Sequence, residues 1–162
     1  MDQIWAPWRM EFIMKADKQE GCFLCQKSSE SNDEANLILF RGKYNFILLN
    51  AYPYNPGHLL VAPYRHIGNI LDTGEDELKE HYELVKIGIR LLTNVVKPTA
   101  FNTGMNLGKI AGAGVADHIH THIVPRWQGD TNFMPVVGDT KVLSESLDAT
   151  YRKLYAGIKD AI

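Results

Sequence analysis

Three histidines, His118, His120 and His122, alternate through the stretch GVADHIHTHIVPRW, and the chain holds only three others, His58, His66 and His81. On a β-strand, alternate residues share a face, so Ile119, Thr121 and Ile123 would face a core while the imidazoles form a row on the other side. One histidine on a strand is ordinary; three in strict alternation call for chemistry. A single metal ion is a poor centre for the whole row. The outer two lie about 13 Å apart at about 3.3 Å per residue, whereas Zn–N bonds are about 2 Å long. An extended polyphosphate fits the spacing better. Imidazole is largely neutral near pH 7 and is a competent nucleophile at phosphorus. The central His120 would attack, with its neighbours bonding the phosphate oxygens or the leaving group. The attacking ring must keep one nitrogen unprotonated, with the other proton held on a backbone carbonyl. The glycine-rich GKIAGAG just before the row can bring backbone N–H groups close to phosphate, although it does not match GxxxxGK[ST].

The elements that must carry this row follow from periodicity. KSSESNDE (27–34) reads as a polar loop. NLILF and NFILLN flank the turn-prone RGKY as a hairpin, and AYPYNPG connects to a third strand, HLLVAPY. From Glu75 a long helix is predicted: Leu78, Tyr82, Val85, Ile89 and Leu92 recur at helical spacing, Asp72 or Thr73 caps the start, and the helix ends before Pro98. His81 falls on its exposed face and receives no role. AFNTGMNLG returns to strand, KIAGAGVA connects, and DHIHTHIVP is the last strand. A second helix runs from about Lys141, marked by Leu143, Leu147, Tyr151, Leu154 and Ile158. The order implies an α+β fold, an antiparallel sheet with two helices to one side.

With 162 residues and 45% hydrophobic content, residues 1–162 read as one domain. Lys and Arg total 17 against 19 Asp and Glu, so no general attraction to nucleic acid is expected and phosphate must be met at a local site. No apolar run reaches the roughly 20 residues that span a bilayer, and MDQIWAPWRMEF lacks the regions of a signal peptide. The expectation is a cytoplasmic protein with no membrane contact. Cys22 and Cys25 are the only cysteines, to be explained as redox pair, metal ligands or packing. The thioredoxin-like reading lacks its βαβ context, and two thiolates need two further ligands to close a tetrahedral zinc site. Trp5, Trp8 and Phe12 read as core or subunit-contact residues, while Trp127, just after the last strand, is placed to touch a nucleobase.

HIHTHIV resembles the signature of the histidine triad superfamily, and NPGHLLVAPYRHI resembles its second hallmark. With CFLC, NLGKIAGAG and PRWQGDTNFMPVVG, the similarity runs from about residue 5 to 150. The last stretch resembles the branch that handles dinucleoside polyphosphates such as diadenosine tetraphosphate, as hydrolases or phosphorylases. The resemblance implies the histidine triad fold, a nucleotide substrate and a homodimer. It makes His120 the nucleophile that takes a nucleoside monophosphate as a covalent phosphoamide, with His122 and His58 as the other active-site histidines. Asn106 matches a phosphate-side asparagine. Asn50 stands where many members carry a ribose-binding aspartate. Where many carry a serine near the triad, Gly112, Ala113, Gly114 and Val115 leave only backbone donors. Related proteins complete a structural zinc site with histidines that match His66 and His118, joining Cys22 and Cys25. Mg²⁺ would accompany the polyphosphate rather than drive catalysis. Lys109 and Arg126 bracket the catalytic strand, where a phosphate acceptor would need positive charge. The alternatives are a nucleoside phosphoramidase using the same histidine, and a nucleotide-binding sensor with vestigial chemistry.

Overall fold

Two apolar runs separated by Arg41–Tyr44 fold back on each other as β1 (Ile38–Arg41) and β2 (Asn45–Leu49) in the computed structural model, which describes residues 21–130 and 144–162. The Glu80 carboxylate closes this turn by accepting the backbone N–H groups of Lys43, Tyr44 and Asn45 at 2.7, 2.7 and 2.8 Å. β3 (Leu59–Pro63), β4 (Ala100–Met105) and β5 (Thr121–Arg126) complete a five-stranded antiparallel sheet in the order β1-β2-β3-β5-β4. All residues of β2 and β3 are buried, as central strands with cores on both faces require.

One core joins Ile47, Leu49, Leu59, Val61 and Ile123 to two helices, α3 (Glu75–Val95) and α4 (Leu147–Gly157). The opposite face carries a smaller core of Ile38, Phe46, Leu48, Leu60 and Ala62 under Leu24. Leu24 belongs to α1 (Phe23–Ser29), and α2 (Asp33–Asn36) follows, so the stretch expected to be a polar loop is mostly helical. Seven residues cannot hold a helix alone. Burial of Leu24, worth roughly 2 kcal/mol, docks it, and Arg41 braces it by donating to the carbonyls of Ser28 and Glu30 at 2.7 Å each.

α3 spans the expected residues, but its cap and its buried face differ. Gly74 is the N-cap, its N–H donating to Glu77 Oε2 at 3.2 Å, because Thr73 already closes a 3₁₀ turn over Ile70–Asp72. The buried face runs through Glu77, His81, Leu84, Val85, Gly88, Leu91 and Leu92, so Val85 and Leu92 lie on it as expected, whereas Tyr82 is 53% exposed. The apolar count missed Glu77, His81 and Gly88 on this face because they are polar or glycine. At Gly88 a Cβ would lie 2.7 Å from Ile123 Cδ1, so a side chain here would have to displace the end of Ile123 where α3 seats on β5.

The last strand starts later than expected. Pairing with both neighbours ends at Thr121, opposite Val61 and Met105. Upstream, the Pro63 carbonyl is taken by the His118 ring at 2.8 Å, and Ile119 N–H reaches Ile67 O at 2.8 Å. β4 likewise stops at Met105. α4 begins at Leu147 behind the Ser146 cap, and the start expected near Lys141 lies outside the described residues. Trp5, Trp8, Phe12 and residues 131–143, including Leu143, lie outside the described residues. No helix among the described residues is long and apolar enough to cross a membrane.

Candidate active site

The imidazole row does not face open solvent. His118 is fully buried and His120 is 5% exposed, because the chain leaves the ladder before Thr121 and turns each ring to different partners. His120 Nδ1–H donates to the His118 carbonyl at 2.9 Å. The proton therefore sits on Nδ1, and Nε2 carries the lone pair. Burial lowers the His120 pKa against the opposing pull of that carbonyl, which favours the neutral, nucleophilic ring.

His58 and His122 are ordered by a chain of donors that starts at the backbone. Tyr54 N–H donates to His58 Nδ1 at 3.1 Å, so His58 carries its proton on Nε2. That nitrogen lies 2.9 Å from His122 Nδ1, which must accept, placing the His122 proton on Nε2. Asn50 fits the same pattern: its Oδ1 accepts from Tyr52 N–H at 3.0 Å, turning its Nδ2 towards His58 Nδ1 at 3.2 Å. The rings of His120 and His122 stand 4.9 Å apart. A lone pair and an N–H donor thus sit side by side.

Both histidines line one pocket with Asn50, Gly112, Gly114 and Val115. Its other wall is apolar, from Phe23, Leu60, Tyr52 and Tyr54, and Tyr54 packs 4.7 Å from the His58 ring. No carboxylate is among the described lining residues. Gly112 has φ +84°, closing a 3₁₀ turn at Lys109–Ala111, and its N–H is already given to Lys109 O at 3.0 Å. Backbone donors that this loop offers the pocket are therefore those of the other lining residues, Gly114 and Val115.

Five expected residues do not line this pocket: His58, fully buried, meets it through His122, and Lys109 is exposed on the 3₁₀ turn. Asn106 bridges the glycine-rich loop, donating to Gly112 O at 3.3 Å. Trp127 lines a separate hollow with Pro56, Val96 and Lys153. Arg126 is committed to Asp130 at 2.5 and 2.8 Å and to Asn102 at 2.7 Å. Arg126 holds the Asp130 carboxyl well below the usual carboxylate range, with Asn55 and the Trp127 N–H assisting. Tyr52 and Tyr54 were hidden in what reads as a connection, and Phe23 in the Cys-x-x-Cys spacing; an aromatic alternation at 52 and 54 was the available signal.

A second cluster lies behind the row. Ligand atoms of Cys22, Cys25, His66 and His118 all fall within 4.8 Å of one another. His118 Nδ1 is 3.2 Å from Cys22 Sγ and 3.4 Å from Cys25 Sγ, and His66 Nδ1 is 3.3 Å from Cys25 Sγ. A tetrahedral zinc with Zn–S of about 2.3 Å and Zn–N of about 2.0 Å separates its ligand atoms by roughly 3.3–3.8 Å, so this donor set fits the ion. His118 Nε2–H is fixed on the Pro63 carbonyl, which leaves the Nδ1 lone pair towards the thiols.

A family description, HIT domain, matches residues 31–129. The chain is 39% identical over 161 residues to a Mycobacterium tuberculosis protein named AP-4-A phosphorylase, covering 95% of this chain and 83% of the relative. It is 30% identical over 92 residues to a Saccharomyces cerevisiae bis(5'-adenosyl)-triphosphatase, covering 56% and 44% of the two chains. A solved Zn-bound histidine triad family protein from Mycobacterium smegmatis superposes with a TM-score of 0.69 at 22% identity, over 86% of this chain and 94% of that one. A hypothetical histidine triad nucleotide-binding protein from Sulfolobus tokodaii gives 0.64 at 28% identity, over 86% and 91%.

Proposed function

Because this chain belongs to the HIT domain family, we propose that it transfers a nucleotidyl group from a dinucleoside polyphosphate of the diadenosine tetraphosphate type, with His120 as the nucleophile. The observation that carries the reading is the pairing of opposite tautomers: a lone pair on His120 Nε2 beside a proton on His122 Nε2 in one pocket. The name of the Mycobacterium tuberculosis relative supports the substrate class.

In the first step His120 Nε2 bonds the α-phosphorus and the bridging P–O bond breaks. Its electron pair leaves on the nucleoside polyphosphate oxygen, to which His122 Nε2–H donates. The His118 carbonyl stabilises the imidazolium character that develops on His120. In the second step an acceptor oxygen bonds the same phosphorus and the N–P bond breaks, returning the lone pair to His120. We assign inorganic phosphate as that acceptor, which yields a nucleoside diphosphate; water would yield the monophosphate. Asn50 faces the ribose, and Phe23, Tyr52 and Tyr54 supply the apolar wall for a base. Asn106 is a loop-ordering residue at the phosphate side, and Trp127 would reach a base only outside this pocket.

Cys22, Cys25, His66 and His118 would hold a structural zinc, which when bound cross-links α1 to the segments after β3 and before β5. Free thiols suit a reducing compartment such as the cytoplasm. Any Mg²⁺ would ride on the polyphosphate, since the described pocket residues offer it no carboxylate. A homodimer would pair along the edge strand β4, whose Asn102, Thr103 and Gly104 are exposed.

A panel of dinucleoside polyphosphates and nucleoside phosphoramidates tests the reading. Cleavage of diadenosine tetraphosphate supports it; turnover of phosphoramidates alone overturns it.

A further inference from the structure

We propose that His81, buried on α3, is a positioning residue that sets His120 and His122 through a hydrogen bond to Thr121, the residue between them. The proposal rests on the reading of His120 as nucleophile.

His81 is 3% exposed, and both ring nitrogens are engaged: Nδ1 lies 2.9 Å from Asn45 Oδ1 and Nε2 lies 2.7 Å from Thr121 Oγ1. The directions are fixed by Asn45, whose Nδ2 donates to Glu77 O at 2.9 Å and to Glu80 Oε2 at 3.1 Å. Asn45 Oδ1 is therefore the acceptor, His81 carries its proton on Nδ1, and the Thr121 hydroxyl donates to His81 Nε2. Burial pushes the His81 pKa down to about 4 against the pull of Glu77, so the ring remains an acceptor at neutral pH.

The place of this bond gives it its meaning. Thr121 is the first residue of β5 and is paired on both sides, with Val61 and Met105. One residue upstream, the nucleophile has left the ladder. The hydroxyl–imidazole bond ties that first paired position, on the core side, to a helix of 21 residues that is itself seated on β5 at Gly88. The imidazole is more than core filling, because its Nδ1–H also satisfies the buried Asn45 Oδ1, so one ring links α3, β2 and β5. A satisfied polar line gives directional constraint that apolar packing does not.

Four proteins test this: wild type, Thr121→Ser, Thr121→Val, and the double variant His81→Leu with Thr121→Val. We expect Thr121→Val to lower kcat roughly tenfold to a hundredfold with KM changed less than about twofold, while Thr121→Ser stays near wild type. The double variant should not recover kcat, and its Tm should stay below wild type because Asn45 Oδ1 then lacks its donor. Ring-nitrogen NMR should show His120 as a single Nδ1–H tautomer in wild type and as a mixture in Thr121→Val. Wild-type kcat and a single His120 tautomer in Thr121→Val or in the double variant would overturn the proposal and leave His81 as core filling. If the double variant does not fold, the Thr121→Val and Thr121→Ser pair decides. Should wild type cleave no dinucleoside polyphosphate, the functional reading fails, and the tautomer measurement still decides this one.

Discussion

His120 Nδ1–H donates to the His118 carbonyl at 2.9 Å, which fixes the tautomer of the proposed nucleophile, while the His118 side chain turns to Cys22 and Cys25. One residue thus belongs to the site through its backbone and to the thiol cluster through its ring.

The donor chain from Tyr54 through His58 to His122 predicts a kinetic signature. His58→Phe removes the group that fixes the His122 tautomer. Its expected effect is a kcat reduced about 10²-fold with substrate binding largely kept, as for loss of proton placement rather than of contact area. Steady-state kinetics check this; an unchanged kcat contradicts it.

The buried His120 must be neutral to attack, and its pKa lies below the ordinary 6.5 because of desolvation. Activity should therefore persist as pH falls through 6.5, with the acid limb of kcat/KM lying lower. A midpoint at or above 6.5 would contradict the burial argument.

His81 contributes a stability term of known sign. Its folded pKa is about 4 against an ordinary 6.5, so between these values the unfolded chain binds the extra proton. Stability is full above about pH 6.5 and declines as pH falls towards 4, by about 3 kcal/mol from this group alone. The burial-lowered His118 adds in the same direction. Urea unfolding across this range measures the slope, and His81→Leu should flatten it; an equal slope in both proteins would assign the loss elsewhere.

For the thiol cluster, elemental analysis of protein purified without chelator should find about one zinc per chain. Stripping the metal should lower Tm, as should Cys22→Ser. Metal-free protein of unchanged Tm would make the cysteines a packed pair.

How far the sequence was legible depends on which signal each residue carries. The alternation at 118, 120 and 122 and the need for a carbonyl to hold one imidazole proton both follow from residue chemistry, and the structure supplies that carbonyl from His118. The strand and helix order was legible because β2, β3 and α3 have strong apolar patterns. His81 was not, since the face of α3 that packs on the sheet is marked by Glu77, His81 and Gly88, which an apolar count ignores. Nor was the fate of Arg126 legible: whether a cation faces a substrate or an internal carboxylate depends on where the chain brings Asp130. α1 stayed hidden because its one deeply buried residue, Leu24, leaves no periodicity to read.

Acceptor choice is a separate prediction. With inorganic phosphate present, diadenosine tetraphosphate should yield ADP beside ATP and react faster; without it, AMP should replace ADP. Since Arg126 is held by Asp130 and Asn102, Arg126→Lys should change this product ratio little. Identical AMP products and rates with and without phosphate would make water the acceptor.

The central claim is that His120 bonds the nucleotide. Rapid quenching of the protein with diadenosine tetraphosphate, followed by intact-mass and peptide mass spectrometry, should find a nucleoside monophosphate adduct on His120. In His120→Asn that adduct should be absent, with turnover down roughly 10⁴-fold or more and nucleotide binding retained. Near-normal turnover in His120→Asn, or an adduct on another residue, would contradict the account.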